Sequence, residues 1–251
     1  FKHYTGSSFK RLYQDTFDYL RKEWEQQDTC SLVPSYHSPD KKDYTSYRYP
    51  CPVDDSTVVA VKSGLKDINS LVTIVHGKEK RLSYIGSINS RLDYRNGKIY
   101  WTEIVPGLRW THENYSVLKC YDLKEGRIKS ITPRQRYLSP SVDKNGKVAA
   151  VSRTTVDGKN QLVLVELEDG KELFAFQVPG NAFIKELTFT DQDEVVAVAV
   201  TDAGISLLQF TPSSGQWEEL LSTASVNITS PVWKDGRIYF ESGANGTNNL
   251  Y

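Results

Sequence analysis

The sequence predicts an all-β fold assembled from repeated sheets, with one α-helix at the N-terminus. From Thr57 onwards, short runs of apolar residues, mostly β-branched or aromatic, recur between Gly, Asp and Asn residues. This is the pattern of strands joined by turns. Aromatic residues make up 12% of the chain and include 15 Tyr, and their flat rings pack well on a pleated sheet.

The composition excludes several functions. The 251 residues contain 31 Lys+Arg and 31 Asp+Glu, so the charges balance and give no sign of nucleic-acid or anionic-membrane binding. No apolar run approaches the ~18 residues that a membrane-spanning helix needs. The chain begins at Phe1 and contains no Met, so we expect it to be part of a longer polypeptide.

Residues 7–27 have the periodicity of one amphipathic helix. Apolar side chains recur at steps of three and four residues and form one stripe; they are Phe9, Leu12, Tyr13, Phe17, Leu20 and Trp24. Ser7 or Ser8 is suited to cap the helix start. A single helix of this length is marginal in water, so we expect the stripe to dock on another surface.

The next segment, 29–52, is interpreted as a linker or extended strap. It contains four prolines and a short polar run at 40–43 but little periodicity. The predicted organisation is therefore a helix over 1–28 that ends a preceding domain, a linker over 29–52, and repeated sheets over 53–251.

The strands of the last part repeat. Five similar strands begin at Thr57, Lys98, Lys147, Glu194 and Arg237, at steps of 41, 49, 47 and 43 residues. Each follows a turn rich in Asp, Asn or Gly, and four of them are followed by further strands. A four-stranded meander of this length is a propeller blade. The sequence predicts a β-propeller with four complete blades and a fifth that stops at Tyr251, after its second strand.

Two segments carry a resemblance to a known family. Leu138–Val151 and Ser230–Phe240 contain Ser-Pro followed by Asn-Gly or Asp-Gly and an apolar strand. They resemble the S-P-x-[WF]-S-x-D-G-K-x-I-A-[FY] blade opening of TolB-like propellers, which are related to WD-repeat and tricorn-type propellers. The resemblance implies a closed ring of six or more blades, so we expect further blades outside this sequence. An open ring would expose two sheet edges.

The helix carries a second resemblance. His3–Phe17 is similar to the last helix of a gluzincin-type, peptidase-MA-like zinc peptidase domain. The combination resembles large exported proteins of bacteria, notably Bacteroidetes, and implies a periplasmic or cell-surface location. The motif H-E-x-x-H does not occur, and the four His residues lack the spacing of zinc ligands. Any catalytic residues of such a peptidase would lie upstream of Phe1.

No cofactor, metal or catalytic residue is predicted within the chain. A G-x-S-x-G elbow and a phosphate-binding Gly loop are both missing. Asp54-Asp55 and Asp191–Asp193 lack the ligand spacing of a calcium loop. Two alternatives stay open for the three cysteines: Cys30 pairs with Cys51 in an oxidising compartment, or all three, including Cys120, are free.

Binding residues are predicted on one rim of the propeller. The loop Thr102–Asn114 joins a second to a third strand, and the connection around 134–137 joins two blades, so both should emerge on the same rim. The candidates are Arg109, Trp110, Arg136 and Tyr137, because Arg and aromatic residues are enriched at binding hot spots. In the alternative interpretation, the arginines pair with local carboxylates and Trp110 packs on a neighbouring blade.

These observations predict a non-catalytic scaffold or interaction module. The expected partner is a protein or peptide, and one candidate is an upstream peptidase-like domain of the same polypeptide. The propeller would then present substrate to that domain or control its access. One alternative is a hydrolase with acidic or His side chains at the ring centre, but the most recognisable strands are aliphatic. The other is a glycan-binding propeller that uses Trp110 and Tyr137.

Overall fold

The computed structural model describes residues 2–27, 43–107, 109, 114–244 and 246–251. They belong to two compact units, residues 1–36 and 37–251. Both α-helices lie in the first unit, and every strand lies in the second. None of the described helices is long and apolar enough to span a membrane.

The first unit contains α1 (Lys2–Thr5) and α2 (Phe9–Gln27). The predicted helix is confirmed, with Ser8 as its cap: the Ser8 hydroxyl accepts a hydrogen bond from the Arg11 amide at 3.3 Å. The rings of Phe9, Tyr13 and Phe17 follow one another along the stripe, with centroids 6.4 and 5.4 Å apart. The three rings are exposed. The short helix α1 was not predicted, because four residues show no periodicity.

In the described part of the second unit, nineteen strands form five antiparallel sheets, each in sequence order. The first sheet contains β1 (Thr45–Pro52), β2 (Thr57–Gly64), β3 (Ser70–Val75) and β4 (Lys78–Tyr84). The second contains β5 (Asp93–Arg95), β6 (Lys98–Pro106), β7 (Asn114–Asp122) and β8 (Arg127–Ser130). The third contains β9 (Tyr137–Val142), β10 (Val148–Thr154), β11 (Asn160–Glu166) and β12 (Glu172–Gln177).

A 3₁₀-helix at Pro179–Asn181 leads into the fourth sheet. This sheet contains β13 (Phe183–Phe189), β14 (Val195–Thr201), β15 (Gly204–Thr211) and β16 (Gln216–Ala224). The fifth contains β17 (Ile228–Lys234), β18 (Arg237–Ser242) and β19 (Asn249–Leu250). The prediction of an all-β propeller with repeated blades is confirmed.

The structure differs from the prediction at both ends of the propeller. Residues 45–52, assigned above to the linker, form β1 and pair with β2. The prolines there are accommodated by a register shift between Arg48 and Cys51, where Tyr49 adopts a φ of 54°. The fifth blade does not stop after its second strand, because β19 pairs with β18. A two-residue strand has no apolar alternation by which it could be recognised.

Apolar faces of successive sheets bury one another. Four core clusters join the sheets in order: Trp101 and Val59 lie between the first and second, Tyr100 and Tyr137 between the second and third. Phe210 and Ile184 lie between the third and fourth, and Val196 and Ile228 between the fourth and fifth. The side chains of Trp101, Tyr137 and Phe210 are the largest that are fully buried. Each blade therefore depends on its neighbours for its core.

We predict that Gly170→Ala destabilises the protein far more than Gly158→Ala. Both glycines have positive φ, 76° and 77°, which costs a non-glycine residue about 1–2 kcal/mol. A Cβ at Gly170 would also overlap the carbonyl oxygen of Ile131, the residue that follows the last strand of the second sheet, whereas nothing lies within 4 Å at Gly158. Relieving that overlap should cost about 1–3 kcal/mol more.

Urea unfolding of the two variants and the wild type measures the difference in the free energy of unfolding. Equal losses of stability would show that the close approach of the second and third sheets at Gly170 is not as the structure has it.

Candidate functional site

A central cavity of about 210 Å³ lies where the first strands of all five sheets converge. The first strands are therefore the innermost ones. The residues that line the cavity are Pro50, Cys51, Pro52, Arg91, Leu92, Asp93, Tyr94, Arg95, Ser139, Pro140, Ser141, Leu187, Thr188, Phe189, Asp191, Pro231, Val232 and Trp233.

Three charged residues occupy every second position at the start of the second sheet. Arg91 lies two residues before β5, and Asp93 and Arg95 lie in it, so the side chains of Asp93 and Arg95 leave the strand on one side. The intervening Leu92 and Tyr94 pack in the core between the first and second sheets. The alternation that places Leu92 and Tyr94 on the face towards the first sheet thus places Asp93 on the opposite face, towards the third sheet.

The Ser-Pro pairs of the repeat are β-bulges in the innermost strands. Ser139 and Ser230 precede prolines, have φ values of 50° and 57°, and coincide with register shifts in β9 and β17. Tyr49 has the same role before Pro50 in β1. A bulge bends its strand and re-aims the following side chains. The repeat motif therefore shapes the wall of the central cavity.

Asp93 connects three sheets. Its Oδ2 atom accepts hydrogen bonds from the Val142 amide at 2.5 Å and from the Ser141 hydroxyl at 3.3 Å, both in the third sheet. The Ser141 oxygen in turn accepts a hydrogen bond from the Phe189 amide in the fourth sheet at 3.0 Å. Burial raises the pKa of the Asp93 carboxyl, although these hydrogen bonds and the charge of Arg95 act in the opposite direction.

Two further carboxylates hold the fifth sheet. Glu186 accepts a hydrogen bond from the Ser230 amide at 2.6 Å, and Asp191 accepts one from the Trp233 indole at 3.0 Å. Arg91 donates to the Pro231 carbonyl at 3.2 Å, and its Nη1 atom lies 4.0 Å from Glu186 Oε2. Side chains at the centre of the ring therefore bind neighbouring sheets together.

Cys51 adds a neutral group to the cavity. It is buried, and burial raises the pKa of its thiol to about 12, with a further increase from Asp93 and opposing effects of Arg91 and Arg95. The thiol is therefore protonated at neutral pH. Cys51 and Cys120 are free thiols, whereas Cys30 lies outside the described residues.

A second depression, the rim groove, lies between the second and third sheets at the other end of the innermost strands. Its volume is about 330 Å³, and its lining consists of Asn89, Ile104, Asn114, Tyr115, Ser116, Arg136, Leu138 and Thr154. The predicted loop Thr102–Asn114 is shorter in the structure, because β6 continues to Pro106 and β7 begins at Asn114. A β-bridge between Ser116 of β7 and Gln135 brings the start of β7 next to the connection around 134–137. The two segments predicted to share a rim are thus neighbours.

The four predicted rim residues have different positions. Arg136 is exposed and lines the rim groove, and Arg109 is exposed on the loop. Trp110 lies outside the described residues. Tyr137 is only 1% exposed: its ring is part of the core, and its hydroxyl donates to Glu172 at 3.0 Å. Strand alternation directs Tyr137 inwards, so the structure does not support a surface contact by this ring.

The charged lining of the central cavity was missed by the sequence analysis. The aliphatic strands that define the repeat are the second strands of the sheets, whereas the first strands line the cavity. The charged residues Arg91, Asp93 and Arg95 at every second position were the sequence feature that could have indicated this charged lining. The described part of the chain contains no cluster of three or more His, Cys, Asp or Glu residues placed to hold a metal ion.

Comparisons with solved structures place this fold among known propellers. TolB from Acinetobacter baumannii is similar, with a TM-score of 0.59 and 11% identity over 80% of this chain and 51% of that chain. The β-propeller domain of the Trilobed protease from Pyrococcus furiosus has a TM-score of 0.53 and 13% identity, over 85% and 82%. The tricorn protease has a TM-score of 0.53 and 15% identity, over 88% and 22%.

These similarities define the class of fold: the second unit is a β-propeller similar in structure to those of TolB and the tricorn protease. Identities this low establish the fold alone. The chain spans about half the length of the TolB structure and about a third of that of a similar prolyl endopeptidase. No family model and no curated protein matches the sequence.

We predict that the free energy of unfolding of the wild type falls relative to that of Asp93→Asn as pH rises. Because the pKa of folded Asp93 is raised above its ordinary 3.8, the folded state binds more protons than the unfolded state between these two values. The contribution of Asp93 to stability is therefore complete below about pH 3.8 and is lost as the pH rises through the pKa of Asp93 in the folded protein.

Urea unfolding between about pH 3 and pH 8 measures this difference. Asp54→Asn is the matched control. Its pH dependence should have the opposite sign, because hydrogen bonds from Ser56 lower the pKa of exposed Asp54. Its stabilisation should be lost only as pH falls below 3.8. The same slope for both variants would contradict the raised pKa of the Asp93 carboxyl.

Proposed function

We propose that this chain is a non-catalytic β-propeller interaction module that binds a protein or peptide segment in the rim groove. The observation that carries the proposal is the composition of that groove. It combines the exposed guanidinium of Arg136 with the ring of Tyr115 and the apolar side chains of Ile104 and Leu138. Arg and Tyr over an apolar base are typical of binding hot spots.

The polar groups of the groove suit a peptide backbone. Asn89 and Asn114 each carry an amide that both donates and accepts hydrogen bonds, and these match the C=O and N–H groups of an extended segment. The volume of about 330 Å³ lies at the lower end of the roughly 300–1,000 Å³ of ligand pockets, enough for a few side chains of a partner.

The charge of this rim favours an acidic partner. Arg109, Arg134 and Arg136 are all exposed, and none of them makes an ion pair with a described carboxylate. An exposed arginine without a local partner is available for a carboxylate of a ligand, which it can bind with two parallel hydrogen bonds. We therefore expect a segment that contains Asp or Glu next to an apolar residue.

We further propose that the module works beside a peptidase-like domain in an exported bacterial protein, located in the periplasm or on the cell surface. The resemblance of His3–Phe17 to the last helix of a zinc peptidase supports this arrangement. The similarity to the propeller domain of the Trilobed protease and to a prolyl endopeptidase structure also supports it. In that setting, the rim groove would hold a substrate or gate its access.

We predict that Arg136→Ala weakens peptide binding by at least about tenfold, because hot-spot residues each contribute more than about 1.4 kcal/mol. Peptides are selected from a random display library on the immobilised protein, and the dissociation constant of a selected peptide is then measured by fluorescence anisotropy. Arg109→Ala should give a smaller loss. Arg237→Ala removes an exposed arginine at the opposite end of the innermost strands and should have no effect.

The same variants on a glycan array test the alternative ligand. Glycan binding that depends on Arg136, without any selected peptide, would assign the groove to carbohydrate. Unchanged peptide binding by Arg136→Ala would remove the rim groove from the proposal.

A further inference from the structure

The outermost strand of the third sheet, β12, differs from the outermost strands of the first, second and fourth sheets. Those strands carry charged side chains along their length; they are Lys78, Glu79, Lys80, Arg81, Arg127, Lys129, Glu218 and Glu219. In β12, residues 173–176 form an uninterrupted apolar run, Leu-Phe-Ala-Phe, and Phe174 is 62% exposed. Charges on an edge strand hinder its pairing with another chain, and this run contains none.

The charged residue at the start of β12 is occupied by its own sheet. Glu172 accepts hydrogen bonds from Arg153 Nη1 at 2.6 Å and Arg153 Nη2 at 3.0 Å. It accepts another from the Tyr137 hydroxyl at 3.0 Å. Arg153 and Tyr137 both belong to the third sheet. The carboxylate is therefore directed over the face of the sheet and does not guard the edge of the apolar run.

The backbone of β12 directs hydrogen-bonding groups outwards at Ala175. The Val178 amide donates to the Asn160 carbonyl at 3.2 Å, so Gln177 and its partner on β11 form a non-hydrogen-bonded pair of the ladder. The backbone groups of Gln177 therefore point away from β11, and those of Ala175, two residues earlier, do the same. The Gln177 carbonyl accepts a hydrogen bond from the Trp217 indole at 3.1 Å, whereas no described group outside the sheet bonds to Ala175.

An aromatic row lies on one face of the same edge. The rings of Phe174 and Phe176 are stacked, with centroids 6.0 Å apart, and Phe176 contacts the buried ring of Phe210 in the fourth sheet at 4.6 Å. The core between the third and fourth sheets thus fixes one end of the row. The other end is the exposed ring of Phe174, which an apolar side chain on an added strand would cover.

We propose that β12 pairs with β12 of a second copy of this chain, antiparallel and across a two-fold axis at Ala175. In this register the two Ala175 residues exchange both of their outward backbone hydrogen bonds, and Phe174 of each copy lies opposite Phe176 of the other. Non-hydrogen-bonded pairs bring side chains closest, so the four rings form one continuous row. The contact is isologous and closes at two copies.

A second copy is favoured over an unrelated strand because β12 complements itself in this register. The apolar run meets its own copy, and Lys171 and Glu172 fall outside the five paired residues, 173–177. The chain carries 31 basic and 31 acidic residues, so two copies do not repel one another through net charge. The paired surface is small, and we expect a dissociation constant of about 1–100 µM.

Sedimentation equilibrium of the chain between about 1 and 300 µM tests the proposal, and we expect a reversible monomer–dimer equilibrium. Phe174→Lys should weaken it at least about tenfold, because the dimer places this charge against Phe176 twice. Ala175→Pro should also weaken it, since it removes an outward N–H and leaves the bonds to β11 in place. Leu221→Lys, at an exposed position of β16, is the matched control and should dimerise like the wild type.

Cross-linking tests the register. Ala175→Cys should form an intermolecular disulfide on oxidation with copper–phenanthroline, because the Cα atoms of a hydrogen-bonded antiparallel pair lie about 5.5 Å apart, within reach of a disulfide. Ser222→Cys on β16 keeps the same native cysteines and should not cross-link.

The wild-type equilibrium and the cross-link stay decisive if Phe174→Lys does not fold. A wild type that is monomeric at about 300 µM would overturn the proposal. A dimer that Phe174→Lys leaves unchanged, equal cross-linking by Ser222→Cys, or a series of higher oligomers in place of a dimer would overturn it as well. This edge lies on the circumference of the propeller, so its failure would leave the rim groove untouched.

Discussion

A single sheet of this protein cannot bury both of its faces, and this constraint organises the structure. Each sheet covers its apolar face with the next, so that Trp101, Tyr137 and Phe210 become fully buried only at junctions between sheets. Burial of such side chains contributes about 1.5–3 kcal/mol each. Stacking of sheets side by side around an axis also brings one edge strand of each sheet to the centre, and in this protein it is the first strand.

Crowding at the centre explains the polar chemistry found there. The innermost strands bring backbone N–H groups of adjacent sheets close together, and bulges at Tyr49, Ser139 and Ser230 leave some of them outside the ladders. Asp93 and Glu186 accept hydrogen bonds from those groups. These carboxylates therefore connect neighbouring sheets at the centre of the propeller.

The fold was largely predictable from the sequence, and the candidate sites were only partly so. The period of the strands from Thr57 onwards and the turns before them indicated the blades, because strand and turn preferences are local. The first strand at 45–52 was missed, since its prolines are tolerated only through a bulge that pairing with β2 supports. The segments that contain Arg136 and Thr102–Asn114 are neighbours through the Ser116–Gln135 bridge, as the topology of a propeller predicts, but Tyr137, one residue after Arg136, points into the core. Binding by Arg136 stays a prediction.

The sequence by itself determined the helix at 9–27, the strand repeat and the Asn-Gly and Asp-Gly turns, because each depends on neighbours a few residues away. The tertiary structure decided which strands are innermost, which sheets share Asp93, and which sheets Arg91 contacts. Those properties depend on contacts between residues about 50 to 140 positions apart, such as Asp93 with Val142 and Arg91 with Pro231. No local pattern encodes such a distance, so the charged centre of the propeller emerges only when the sheets are assembled.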